Sequence, residues 1–295
     1  MSELAIDTAA HGRIIDLRRD HDAATRLPRG HADGRYLCCA CAAHLIFTGP
    51  TTPGSRFTPR FRHRSGHGAD HCAAPAPHQA DIHADLTAVL TLRDQLARAL
   101  PDATVHLTID PVRAGHRWDL PPALVLLRGN HRAVIDHPRR PLTPHTVTQR
   151  LREARDRHGA DTTHWWIFDQ HDPTQYQSAG TLKVRIDGHS TRHQKINPTP
   201  AQRALTAAGA VVAWADGHQL LIPYGGHRID YQPRDGEDWT GEQASWAHDW
   251  RISHPRPAHD ATWWGLIPLT PNGLAAYPGL RPTAALPRHD RPRPL

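Results

Sequence analysis

The sequence predicts an α/β protein, with a small cysteine-bearing β module ahead of its core and a β-rich extension behind it. Three observations carry this. All four cysteines fall between Cys38 and Cys72. Helical and strand-like periods alternate from Asp81 to Phe168, and beyond residue 172 the short apolar runs read as strands. The expected domains are therefore residues 1–78, 79–172 and 173–282, followed by a Pro/Arg tail over 283–295 whose composition predicts disorder.

Composition bounds the function. The chain has 295 residues, 38% of them hydrophobic, enough to bury a core in one large domain or two ordinary ones. A net charge of +6 and a pI of about 9.5 favour an acidic partner, with nucleic acid first. Lys183 and Lys195 are the only lysines; arginine carries the rest, beside 25 His and 27 Pro, the imprint of a GC-rich genome. A lone histidine consequently carries little weight. The N-terminus lacks the basic start and apolar run of a signal peptide. The longest apolar stretch, around Ala207–Ala215, is far short of the roughly 18 residues that span a bilayer, so a soluble, cytoplasmic protein with no membrane partner is expected. No Gly-rich phosphate loop, H-E-x-x-H helix or G-x-S-x-G elbow is present, which argues against NTP-driven motors, zinc proteases and serine hydrolases.

In the N-terminal module, Arg13–Leu17 reads as an edge strand, and Arg35–Leu37 and His44–Phe47 as two short strands bracketing Cys38-Cys39-Ala40-Cys41. That C-x-x-C turn brings two thiolates together, and His63 and Cys72 supply two more ligands from a second segment. Cys38, Cys41, His63 and Cys72 thus form a candidate closed zinc site of the ribbon type. A redox pair is the alternative, but no βαβ pattern surrounds these cysteines as a thioredoxin-type site requires. Residues 48–62 read as a basic loop. Arg60, Arg62 and Arg64 around Phe61 suit phosphate or base contact, or equally a solvated loop.

In the core, Ile82, Leu86, Val89, Leu96 and Leu100 line one face of a helix over Asp81–Leu100 that Pro101 stops. Val105–Ile109 alternates as a strand, and Ala123–Arg128 and His131–Ile135 form a hairpin across Gly129-Asn130. Thr143-Pro144 caps a basic helix over 144–158, and Trp165–Phe168 is a buried strand. Further on, Leu182–Ile186, Val211–Ala215 and Leu220–Pro223 read as strands, the last two joined by Asp216-Gly217, with a short helix over Pro200–Ala208. Asp235–His259 is polar and tryptophan-bearing, with no assigned element.

Two carboxylates stand at the outer ends of the hairpin strands, Asp119 in Arg117-Trp118-Asp119-Leu120 and Asp136 in Val134-Ile135-Asp136-His137. Acids at one end of neighbouring strands can share a Mg²⁺ or Mn²⁺ ion that polarises a phosphodiester and activates water. Mirrored through the turn, Asp136 falls near Ala123, about 13 Å from Asp119 along a regular strand, so Pro121-Pro122 would have to bulge. Otherwise the two acids are strand-end residues on a solvated rim.

The Tyr36-Leu37-Cys38…Cys41 knuckle, Phe61-Arg62-His63, Cys72, His83 at the helix start, Arg117-Trp118-Asp119-Leu120, Ala133–Asp136 and the Trp165-Trp166-Ile167 strand follow one another in an order that resembles the CoiA-like competence protein family. The resemblance covers residues from about 10 to 170. It implies a PD-(D/E)XK-type nuclease core behind a zinc-binding module, acting in DNA uptake and recombination. By it, Asp119 and Asp136 would hold a catalytic Mg²⁺ or Mn²⁺, His83 would support the site, and Arg60, Arg62, Arg64, Arg117 and Arg139 would grip single-stranded or recombining DNA. The chain departs from the family where Asp136-His137-Pro138 replaces an acid followed two residues later by Gln or Lys. Gln79 and Thr87 also replace a glutamate and a lysine around His83. A catalytically decayed DNA-binding protein is the alternative. An HNH-type nuclease is a third reading, weakened because helix 144–158 has no asparagine and no cysteine follows Cys72.

Overall fold

The structure, a computed structural model, describes residues 3–20, 23–49, 58–64, 72–107, 109, 120–186, 189–216, 219–233, 235–238, 240, 248–253, 260–270, 273–274, 277 and 280. Asp119, Arg117, the expected tail, and parts of the 48–62 loop and of Asp235–His259 lie outside the described residues. The chain is mixed α/β and divides into two compact units, Met1–Asp94 with Val105–Leu124, and Gln95–Thr104 with Val125–Leu295. This division cuts across the boundaries expected at residues 78 and 172.

The first unit opens with β1 (Leu4–Asp7) and β2 (Arg13–Asp16), followed by the single turn α1 (Ala23–Arg26), β3 (Tyr36–Leu37), β4 (Leu45–Thr48) and β5 (Arg60–His63). β1 lies between β2 and β3, all antiparallel, so the strand at Arg13 is at the edge as expected, while its central partner β1 is new. The β1–β2 return needs two left-handed residues, His11 and Gly12. Asp7 is buried at the end of β1 and receives Arg35 Nε at 2.7 Å and Nη2 at 2.6 Å, one on each oxygen. This forked pair fixes β1 to the strand that runs into the cysteines. Beneath them Tyr36, Phe47 and Phe61 pack with ring centroids 5.2–6.2 Å apart. β4 pairs with β5 and not with β3, so the expected hairpin around the knuckle is reduced to one bridge, Leu37 to His44.

Helix α2 (Ala76–Ala99) begins at Ala76 and not at Asp81. Pro77 sits in its first turn, where a missing N–H breaks no helical bond. Ile82, Leu86, Val89 and Leu96 are buried along it, as the spacing predicts. The strand β6 (Thr104–Leu107) follows.

The second unit contains β7 (Leu124–Arg128), β8 (His131–Asp136), α3 (Pro144–His158), β9 (Thr163–Asp169), β10 (Ser178–Ile186), β11 (His189–Ile196), α4 (Pro200–Ala207), β12 (Val211–Ala215), β13 (Leu220–Asp230), β14 (His248–Ser253) and β15 (Thr262–Leu269). They form one large, mostly antiparallel sheet in the order β10-β11-β15-β13-β12-β9-β8-β7, with β14 on the outer half of β13. Among the described residues the parallel pairs are those of β9, with β8 on one side and β12 on the other. The local signals hold. Gly129 adopts φ 55 in the β7–β8 turn, Thr143 Oγ1 accepts from Thr146 N at 3.2 Å to cap α3, and Thr199 with Gln202 forms a capping box on α4.

The β-rich extension continues the core's own sheet through the β9–β12 pairing. Its far end curls so that β10 approaches β14, and Val184, Tyr224, Trp250, Trp264 and Ile267 are enclosed between them. β14 and β15 arise from the tryptophan-bearing stretch and the segment after it. No described helix is long and apolar enough to cross a membrane.

His164 on β9 is buried, and neither ring nitrogen has a hydrogen-bond partner among the described residues. Burial, with the cations of Arg155, His158 and Arg150 adding to it, holds the ring down to about 4. The native state therefore binds fewer protons than the unfolded chain between the ordinary histidine value of about 6.5 and about 4. Stability is complete above that window and falls by about 1.4 kcal/mol per pH unit as pH drops through it. Urea unfolding at pH 7 and pH 5 checks this: His164→Phe should leave the pH 7 stability nearly unchanged and lessen the loss at pH 5, to which His158 and His193, also shifted down by burial, add their own shares.

Candidate metal centre

The knuckle forms because the chain reverses within four residues after β3. Cys38 N donates to Ala43 O at 2.9 Å and Ala42 N donates to Cys38 O at 3.0 Å, with Ala42 in the left-handed region at φ 58. Cys38 and Cys41 thereby point to one place. β5 alternates, with Phe61 and His63 facing in and Arg62 facing out, and its register sets His63 opposite Leu45. Cys72 arrives just before α2, whose start is pinned by Gln79 Nε2 donating to Ala74 O at 2.6 Å.

The ligand atoms of Cys38, Cys41, His63 and Cys72 all lie within 4.8 Å of one another. Cys38 Sγ is 3.7 Å from Cys72 Sγ, and Cys41 Sγ is 3.3 Å from His63 Nε2. With Zn–S near 2.3 Å and Zn–N near 2.0–2.1 Å, a tetrahedron has S···S edges of about 3.8 Å and S···N edges of about 3.6 Å. Three thiols and an imidazole at these separations are a donor set that could bind a metal such as zinc. Burial pushes the Cys38 thiol well above its ordinary range, opposed by backbone N–H groups of the turn. A cation is what would hold that sulfur as a thiolate. Cys39, fully buried and pushed up to about 12 by burial, lies outside the ligand set and packs as a small apolar side chain.

A cavity of about 560 Å³ runs beside the cluster, lined by Cys38, His63 and Cys72 on one side and by Gln79, Ile82 and His83 of α2 on another. The expected site residues thus part company. Cys38, Cys41, His63 and Cys72 converge, and His83 lines the same cavity as an exposed helix residue. Arg62 and Arg64 are exposed beside His63, whereas Arg60 is half-buried. Asp136 and the exposed Arg139 belong to the second unit. Asp119 and Arg117 lie outside the described residues.

Asp136 is 1% exposed at the end of β8, and its Oδ1 accepts from Arg150 Nε of α3 at 3.0 Å. Burial raises this carboxyl while the Arg150 guanidinium opposes the rise, and the carboxylate in turn holds Arg150 more firmly in its charged form. The sequence reading missed this partner. Its only trace is an arginine at the inward position of a basic helix, between the buried Val147 and Leu151. His137 Nδ1 is likewise engaged, 2.7 Å from Ile167 O.

Comparison with protein-family models, with curated proteins and with solved structures finds no match to this chain.

The ligand set is separable from the remaining cysteine. Cys41→Ser should leave substoichiometric metal and a protease-sensitive first unit, while Cys39→Ala should retain one metal per chain. Metal analysis of both purified variants, loaded with zinc under the same conditions, checks this; full occupancy in Cys41→Ser would contradict the site.

Proposed function

We propose that this is a DNA-processing protein resembling the CoiA-like competence and recombination family, with zinc stapling its N-terminal module and a PD-(D/E)XK-type core behind it. The cysteine and histidine separations support zinc, since they match its tetrahedron and leave no open coordination position for chemistry. β5 supports the DNA part: one face supplies His63 to the metal cluster, and Arg62 on the other face, with Arg64 just past the strand's end, is exposed. A metal that rigidifies this strand also fixes where its cations stand. The +6 net charge points the same way.

Binding without cleavage is the form of this reading that we favour, and one observation carries it. Asp136, the acid that a Mg²⁺ or Mn²⁺ ion would need, is buried and already satisfied by Arg150. Removing that guanidinium from a water-poor site to admit a hydrated cation is costly. Pro138, which can neither donate a hydrogen bond nor move a proton, stands where the family has its third catalytic group. The competing form is a metal-dependent deoxyribonuclease in which Asp119 and Asp136 share the ion and His83 supports the site. It rests on the order of the sequence motifs.

Labelled single- and double-stranded DNA incubated with Mg²⁺ or Mn²⁺ separates the two. The expected result is retained DNA without cleavage by either the wild type or Asp119→Ala. Metal-dependent cleavage by the wild type that Asp119→Ala abolishes would establish the nuclease instead.

A further inference from the structure

The β10–β11 hairpin of the second unit has a feature that packing does not explain. Lys183 and Arg192 are direct cross-strand partners, and both are exposed. Like charges directly opposite on one face of an antiparallel pair oppose its formation. Neither has an ion-pair or hydrogen-bond partner among the described residues, and the same holds for Lys195, exposed near the end of β11. Over Ser178–Ile196 the charged residues are Lys183, Arg185, Arg192 and Lys195 against Asp187, a net charge of +3 from four cations and one acid. Half of the chain's +6 thus sits on one hairpin, which also holds both of its lysines. The opposite face is committed to the interior, where Val184 and His193 are buried and His193 stacks on Trp264 at 4.8 Å. The hairpin is therefore a fixed platform with an apolar underside and a cationic outer face.

Protection of a sheet edge with lysine would account for Lys183, since β10 ends the strand order. It does not account for a second cation, Arg192, set directly opposite Lys183 on β11. We propose that the outer face of β10–β11, through Lys183 and Arg192, is a phosphate-binding surface for nucleic acid; Lys195, across from Trp264, lies on the other face. Closely spaced cations that repel one another when free are relieved by a polyanion whose charges recur every few ångströms, whereas a single acidic side chain could pair with only one of them. The choice of nucleic acid rests on the DNA-processing reading above. It assigns to residues 173–196 a role separate from Arg62, Arg64 and the metal module.

The test is DNA binding by fluorescence anisotropy in Mg²⁺-free buffer across a salt series. It uses labelled single- and double-stranded oligonucleotides and the full-length, zinc-loaded chain. Two variants are compared with the wild type, Lys183→Gln/Arg192→Gln and Lys183→Glu. The double variant should weaken binding at least tenfold at low salt and reduce the slope of log K against log salt by about 1.4–1.8, the loss of two phosphate contacts. Lys183→Glu converts the repelling pair into an attracting one, so it should weaken DNA binding while leaving Tm unchanged or raised. A wild type and double variant with equal affinity and slope would overturn this surface while leaving the DNA reading intact. A wild type that binds neither oligonucleotide would sink both, and binding instead to vesicles of phosphatidylserine and phosphatidylcholine would reassign the face to membrane.

Discussion

Three thiols and an imidazole, drawn from β3's exit, from β5 and from the approach to α2, occupy a space 4.8 Å across in which Cys38 is almost completely buried. Water solvates a Cys38 thiolate poorly there, and neutral thiols gain little from being held at these spacings. A bound cation converts the convergence from a cost into an attraction, and its binding energy becomes folding energy for the unit. The surrounding apolar cluster is modest, ten buried residues centred on Tyr36, Phe47 and Phe61. The sheet above it is short, with β3 only two residues long. The Asp7–Arg35 pair adds a strong directional contact that does not involve the ligands, just ahead of the knuckle in sequence.

The second unit solves the burial of polar groups differently. Asp136 and Arg150 neutralise each other between strand and helix, and breaking such a pair is far more costly than never having made it. The loop after β9 is held by amides. Gln175 Oε1 accepts from Asp169 N at 3.0 Å, and its own carbonyl accepts from Gln202 Nε2 at 2.7 Å and Trp214 Nε1 at 2.9 Å. One residue thus joins β9, α4 and β12. His164 is buried with neither ring nitrogen hydrogen-bonded among the described residues, and burial favours its neutral form.

What the sequence made legible was local. The Gly129-Asn130 turn, the Thr143-Pro144 cap and the C-x-x-C knuckle each state their geometry within four residues, and each is present. The long-range features were not legible. β1 is four residues with no turn signal before it, and its central place depends on β2 and β3. The continuity of core and extension rests on a parallel pairing between strands separated by a hairpin and a helix, for which no periodicity speaks. Asp136 reads from sequence as a strand-end acid at a rim; that it faces a half-buried arginine fourteen residues on depends on how α3 covers the sheet. The tryptophans at 263 and 264 alternate across β15, one toward Trp214 and one toward Tyr224, so a doublet that looks featureless in sequence serves both faces.

The position of β9 bears on how the chain is made. Its residues Thr163–Phe168 are buried on both faces, and its two edges are taken by β8, already synthesised, and by β12, which leaves the ribosome about 40 residues later. At elongation rates of about 5–20 residues per second, the run Trp165-Trp166-Ile167-Phe168 waits for seconds with one row of amides and carbonyls unpaired. A nascent chain in that state offers an adhesive, tryptophan-rich edge to any neighbour. The same edge would be permanent in a fragment ending near residue 172, so residues 79–172 cannot be excised as a well-behaved domain. The C-terminal half serves as the cover without which the core's last strand stays open.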